Sequence, residues 1–123
     1  MKLRIRGNTL RLRLTRSEVD EFASSGRCAD KISFGGERAL VYAIEKTAGK
    51  TVSAVFDGAE IKVSVPGELA HAWTNTDQVG FDAVYRTGDG DELQILVEKD
   101  FACLTPRADE DTADNFPHPK TTC

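Results

Sequence analysis

The chain of 123 residues has the length of one domain, and its 40% hydrophobic and 29% charged residues are the balance of a globular protein. No apolar run reaches the ~18–20 residues that a membrane-spanning helix needs, and Arg4 and Arg6 interrupt the opening where a secretion signal needs a continuous apolar region, so a cytoplasmic protein is expected. The net charge of −4 conceals a split: residues 1–50 carry eleven Lys/Arg and six Asp/Glu, whereas residues 51–123 carry five and fourteen.

In chain order, the opening KLRIRGNTLRLRLT alternates aliphatic Leu3, Ile5, Leu10, Leu12 and Leu14 with Lys2, Arg4, Arg6, Arg11 and Arg13, and breaks at Gly7-Asn8. Period-2 alternation around such a pair predicts an antiparallel hairpin, aliphatic on one face and basic on the other. Thr15 and Glu18 then have capping-box spacing, Val19 and Phe22 share a helical face, and Gly26 is a stop, which predicts a helix over 17–24. Residues 31–34 and 38–45, joined at Gly35-Gly36, predict a second hairpin whose outgoing strand is apolar on both faces and therefore central.

After a polar connector at 46–50 the order repeats. Residues 51–56 and 60–65 flank the Asp57-Gly58 turn. Pro66 opens a short helix, GELAHAW, whose inward residues are Leu69, Ala72 and Trp73 and which Asn75 and Asp77 close. Residues 79–86 and 92–99 flank the TGDGD turn. The fold class is α+β and mainly β. Two ββαββ repeats (1–46 and 51–100) form a single domain, a pseudo-twofold barrel or sandwich with two short helices. A lone repeat would leave sheet edges and an apolar face uncovered. Residues 101–123 form a C-terminal tail, partly extended or packed on the domain.

Residues 60–99, from EIKVSVPGELAHAW to ILVEK, carry a resemblance to the swapped-hairpin domain of the AbrB, SpoVT and MazE group of bacterial regulators and antitoxins. The matching features are a strand ending V-x-V-P, a helix with the pair Glu68-Leu69, and a polar gap before a last hairpin. The resemblance implies interleaved hairpins. It also implies DNA binding as one alternative function, through basic residues of the first hairpin and helix. The first half departs from the pattern, because Thr15-Arg16 stands where the helix start would contain Pro. The opening KLRIRGNTLRLRLTRSEV, with VEKDFACLTPR (97–107) and FPHP (116–119), also resembles a small uncharacterised bacterial family, which implies no activity.

The candidate site is an anion-binding face made by Lys2, Arg4, Arg6, Arg11, Arg13 and Arg16. A two-stranded ribbon of cations fits a DNA groove. Against nucleic acid stand the net negative charge, the lack of interleaved aromatic or amide side chains, and a second hairpin that carries Lys62 beside Asp57 and Glu60. The other use of the cations is internal: Asp109, Glu110, Asp111 and Asp114 of the tail would cover them, held by Phe101, Leu104 and Phe116. Three cysteines (Cys28, Cys103, Cys123) are not a disulfide framework. Cys103, His118 and Cys123 offer a weak metal or thiol-enzyme alternative whose spacing matches no zinc module. Asp89, Asp91 and Glu92 lack the spacing of a calcium loop, and His71 reads as an ordinary helix residue. The expected function is a non-enzymatic binding module without a cofactor, monomeric as a pseudo-dimer or homodimeric, with no membrane partner.

Overall fold

The alternating stretches fold as their period dictates. In the computed structural model, which describes residues 1–101, β1 (Lys2–Arg6) and β2 (Thr9–Leu14) form the first hairpin, with Leu3 opposite Leu12 and Ile5 opposite Leu10. The turn holds Gly7 at φ 54°, a left-handed conformation that favours glycine. There follow α1 (Arg16–Ser25), β3 (Arg27–Ser33), β4 (Ala39–Thr47), β5 (Ser53–Phe56), β6 (Glu60–Pro66), α2 (Gly67–Asn75), β7 (Gly80–Arg86) and β8 (Glu92–Lys99). The described residues are thus α+β, mainly strand, with two short helices.

The strands make two four-stranded sheets, in the orders β1-β2-β8-β7 and β3-β4-β6-β5. Each hairpin is antiparallel, and each sheet joins two hairpins through one parallel pair: β2 with β8, and β4 with β6. The registers of the two junctions match. Leu10, Leu12 and Leu14 lie beside Ile95, Val97 and Lys99, while Ile61, Val63 and Val65 lie beside Tyr42, Ile44 and Lys46. As expected, β4 is a central strand.

Some boundaries differ from the sequence reading. β3 begins at Arg27, not at 31, because Gly26 ends α1 in the left-handed conformation (φ 82°) and the chain pairs at once with β4, Cys28 opposite Ile44. β5 begins at Ser53, since Val52 is buried in the core before the strand starts. Pro66 is both the last residue of β6 and the N-cap of α2, and α2 continues to Asn75. In α2 the buried residues are Ala70 and Trp73, whereas Leu69 and Ala72 are half-buried.

Both sheets and both helices share one apolar core. α1 follows β2, α2 follows β6, and Phe22 and Trp73 close the core at that end, both fully buried. Burial fades along the central strands toward the opposite end. Leu14, Val65, Val97 and Ile44 are buried, while Ile61, Leu93 and Leu40 at the other ends of these strands are only half-buried. No helix among the described residues is long and apolar enough to cross a membrane.

Candidate functional site

The register of the first sheet places the predicted cations on one outer face. Across β1, β2, β8 and β7 the rows read Lys2–Arg13–Glu98–Gly80, Arg4–Arg11–Leu96–Asp82 and Arg6–Thr9–Gln94–Val84. The charge is therefore graded, from cationic at β1 and β2 to neutral or acidic at β8 and β7. Two of the cross-strand pairs, Lys2 with Arg13 and Arg4 with Arg11, set like charges directly opposite each other. Such pairs destabilise a sheet.

The second half of the chain relieves part of this. Arg11 Nε donates to the Glu98 carboxylate across the β2–β8 junction, and Lys2 Nζ lies 3.1 Å from Asp100 Oδ2. Arg13 also has an interaction of its own. Arg4 and Arg6 are exposed and make no ion pair among the described residues. Arg16, the first residue of α1, is exposed but belongs to the helix and not to the rows of the sheet. Five of the six predicted cations therefore share a face, and two of them, Arg4 and Arg6, have no ion-pair partner among the described residues.

In the other sheet one cation is held internally. Arg27 donates to Glu45 and to Glu60, each at 2.8 Å. Its β5–β6 hairpin carries Ser53 opposite Ser64 and Val55 opposite Lys62, where β1–β2 carries cations.

Among the described residues, the remaining candidates bring no chemistry together. Cys28 is buried, and its thiol is pushed up to about 11, by burial first and then by Glu21 and Glu18 nearby. A thiol with that value is a poor nucleophile near neutral pH. Cys103, His118 and Cys123, and the acidic stretch 107–116 with Leu104 and Phe116, lie outside the described residues; Phe101, the last described residue, is exposed. His71 is exposed on α2, with its ring Nδ1 3.1 Å from the Asn75 amide. Asp89, Asp91 and Glu92 are exposed around a turn in which the Thr87 N–H donates to the Asp91 carbonyl at 2.8 Å. Among the described residues no three His, Cys, Asp or Glu side chains stand together as a metal site.

Sequence reasoning missed the acidic partners, Glu98 and Asp100, because their placement depends on a parallel pairing between the two ends of the described chain. It also missed the open end of the core. The only signal there was that Ile5 and Phe56 keep the inward phase of their strands, and both are strongly exposed, at 62% and 64%.

Compared with known proteins, residues 1–120 match a family described as a family of unknown function, DUF7009. No curated protein and no solved structure matches the chain.

Proposed function

We propose a non-enzymatic, cytoplasmic binding role for this chain, which belongs to that family of unknown function. Its basic β1–β2 face takes an acidic polypeptide segment, of a partner or of its own stretch 107–116. The observation that carries the reading is the pair of like-charge contacts, Lys2 opposite Arg13 and Arg4 opposite Arg11. Places where a sequence breaks a local rule are expected to be functional or strained sites.

The competing explanation is that cations on an edge strand discourage pairing with another sheet. It covers only β1. Arg11 and Arg13 lie on β2, an inner strand, and β5, the corresponding edge of the other sheet, carries no cation.

The architecture we infer is two ββαββ halves related by a pseudo-twofold axis, with hairpins exchanged between the halves, as in the bacterial AbrB-like domains. Its support is the matched register of the two parallel junctions. In this frame β5–β6 is the counterpart of β1–β2, and it has no basic face. That absence argues against an AbrB-like duplex footprint, which needs two equivalent half-sites. It favours a single acidic segment lying along one ribbon.

Fluorescence anisotropy tests this with a labelled oligoglutamate peptide and a labelled DNA duplex of mixed sequence, each at low and moderate salt. The peptide is expected to bind, to weaken with salt, and to lose at least tenfold in affinity with Arg4→Glu/Arg6→Glu. No peptide binding at low salt, or binding indifferent to that double substitution, overturns the reading. Tighter binding of the duplex replaces it with the nucleic-acid one.

A further inference from the structure

We propose that the open end of the core is a second binding site, for an uncharged, apolar small molecule. A cavity of about 510 Å³ lies there between the two sheets, within the roughly 300–1,000 Å³ typical of small-molecule sites. Its walls include Ile5 and Leu10 of the first hairpin, Phe56 and Ile61 of the third, and Leu40 and Leu93 at the starts of β4 and β8. If the halves are related as proposed above, these six are three pairs of equivalent residues, and the cavity straddles the pseudo-twofold axis.

Two further observations point to a ligand. Among the described residues no charged side chain lines the cavity, although charged residues make up 29% of the chain. The site therefore offers no counterion to a buried anion or cation, and a charge placed there would be desolvated without compensation. Two of the exposed large hydrophobic residues, Ile5 and Phe56, turn their side chains to this one cavity, at 62% and 64% exposure. They form a lipophilic rim to an uncharged interior.

A second copy of the chain is a poorer occupant. Two copies meeting about a twofold axis would set concavity against concavity and enclose an unfilled void, which a well-packed interface avoids. A rim of two large apolar side chains is also small beside the ~800 Å² per partner of a stable interface. A compact aliphatic or aromatic molecule fills the space that a protein surface would leave empty. The site shares no charged residue with the basic face and acts independently of it.

The test is a titration of the full chain with N-phenyl-1-naphthylamine, an uncharged dye that brightens in apolar surroundings. Saturable binding at one site per chain is expected. Phe56→Lys and Ile5→Lys change exposed residues and are expected to weaken binding at least tenfold. Val84→Lys, equally exposed but on the outer face of β7, leaves it unchanged, as does Arg4→Glu/Arg6→Glu. A urea midpoint read from Trp73 fluorescence shows that each variant is folded. No saturable binding by the folded chain overturns the proposal, and so does equal binding by Phe56→Lys and Val84→Lys. A dimer in sedimentation that Phe56→Lys converts to monomers would assign the rim to a second copy and overturn it equally.

Discussion

Phe22 of α1 and Trp73 of α2 meet with ring centroids 6.1 Å apart and planes tilted by 59°, so the helices that follow β2 and β6 share one aromatic contact at the closed end of the core. Trp73 is also set edge-on to Phe81 at 5.5 Å, and its indole N–H donates to the Val79 carbonyl at 3.1 Å. Its polar atom is thereby satisfied inside an apolar core. Truncating Phe22 removes one side of this cluster and leaves a cavity that rigid sheets cannot close. Phe22→Ala is expected to cost about 3–5 kcal/mol, read as a lowered urea midpoint with an unchanged slope. A midpoint within experimental error of the parent would show that the two helices do not depend on this contact.

Lys46, next to last in β4, and Lys99, last in β8, act in the same way. Lys46 Nζ donates to the Ala23 carbonyl near the C-terminus of α1, and Lys99 Nζ donates to the Thr76 carbonyl just past α2, each at 2.8 Å. Neither helix has a basic residue of its own in its last turn, so the lysines come from β4 and β8 to meet the partial negative charge there. Lys46 lies in addition 5.8 Å from the centroid of the Phe22 ring, which adds a cation–π contact. Lys46→Met is expected to cost about 1–2 kcal/mol and Lys99→Met less. Thermal melts of the two variants decide it, and equal losses would remove the contribution of the ring.

What the sequence disclosed follows from the range of the forces involved. Alternation in Leu10, Leu12 and Leu14, or in Leu93, Ile95 and Val97, is local and was readable, as were the Gly7-Asn8 turn and the Glu18 contribution to the cap. Glu18 accepts from the Thr15 N–H at 2.8 Å. The sequence Arg27-Cys28-Ala29-Asp30 has no such period, and its strand state comes from pairing with β4. The basic face was legible for the same local reason as the hairpin. Its partial neutralisation by Glu98 and Asp100 was not, since nothing near Arg11 or Lys2 in the chain announces a parallel partner more than eighty residues away. The cavity was hidden because Ile5 and Phe56 obey the same alternation as buried residues, and only the placement of both helices at the opposite end leaves them exposed.

Acid sensitivity centres on Glu18. Partial burial raises its carboxyl, but hydrogen bonds from the Met1 ammonium and from Thr15 outweigh that and hold it below the ordinary value of 4.5. A folded-state value below the unfolded one gives stability that is present above about pH 4.5 and is lost as pH falls through the folded value. Glu18→Gln is expected to lower stability at neutral pH and to flatten its fall below pH 4.5. Asp30, lowered by the Lys31 N–H and the Met1 ammonium, and Asp57, lowered by the Ala59 and Glu60 N–H groups, keep part of the slope. Urea midpoints at several pH values measure it, and parallel curves for parent and variant would locate the acid limb elsewhere.

Cys28 titrates in the opposite sense. Its thiol is raised to about 11 by burial between α1 and the second sheet, so the neutral form belongs to the folded state and stability falls as pH rises from 9 toward that value. In a Cys103→Ser/Cys123→Ser chain, where Cys28 is the sole thiol, alkylation by iodoacetamide at neutral pH is expected to follow unfolding and to accelerate sharply in urea. Rapid alkylation of the folded chain would contradict the burial on which this rests.

Gly80 is required for closeness and not for turning. It opens β7 opposite Glu98, and a Cβ built there would lie 3.1 Å from the Glu98 Cα and closer still to the Val97 carbonyl oxygen, well inside van der Waals contact distance. Both obstacles are backbone atoms of a paired strand, so no side-chain rotation relieves the contact. Gly80→Ala must push β7 from β8 at the point where Val97 enters the core and where the Lys99 N–H donates to the Val79 carbonyl. Gly67, at the start of α2, has open space around its Cβ position. Alanine there reduces only the freedom of the unfolded chain and is expected to stabilise by about 0.4–1 kcal/mol. The two substitutions should therefore differ in sign: a loss of at least about 2 kcal/mol at Gly80 against a small gain at Gly67. Amide exchange of Phe81 and Val97 locates the damage. Faster exchange confined to β7 and β8 is expected for Gly80→Ala, and unchanged protection there would show that the strands absorb a methyl group without separating.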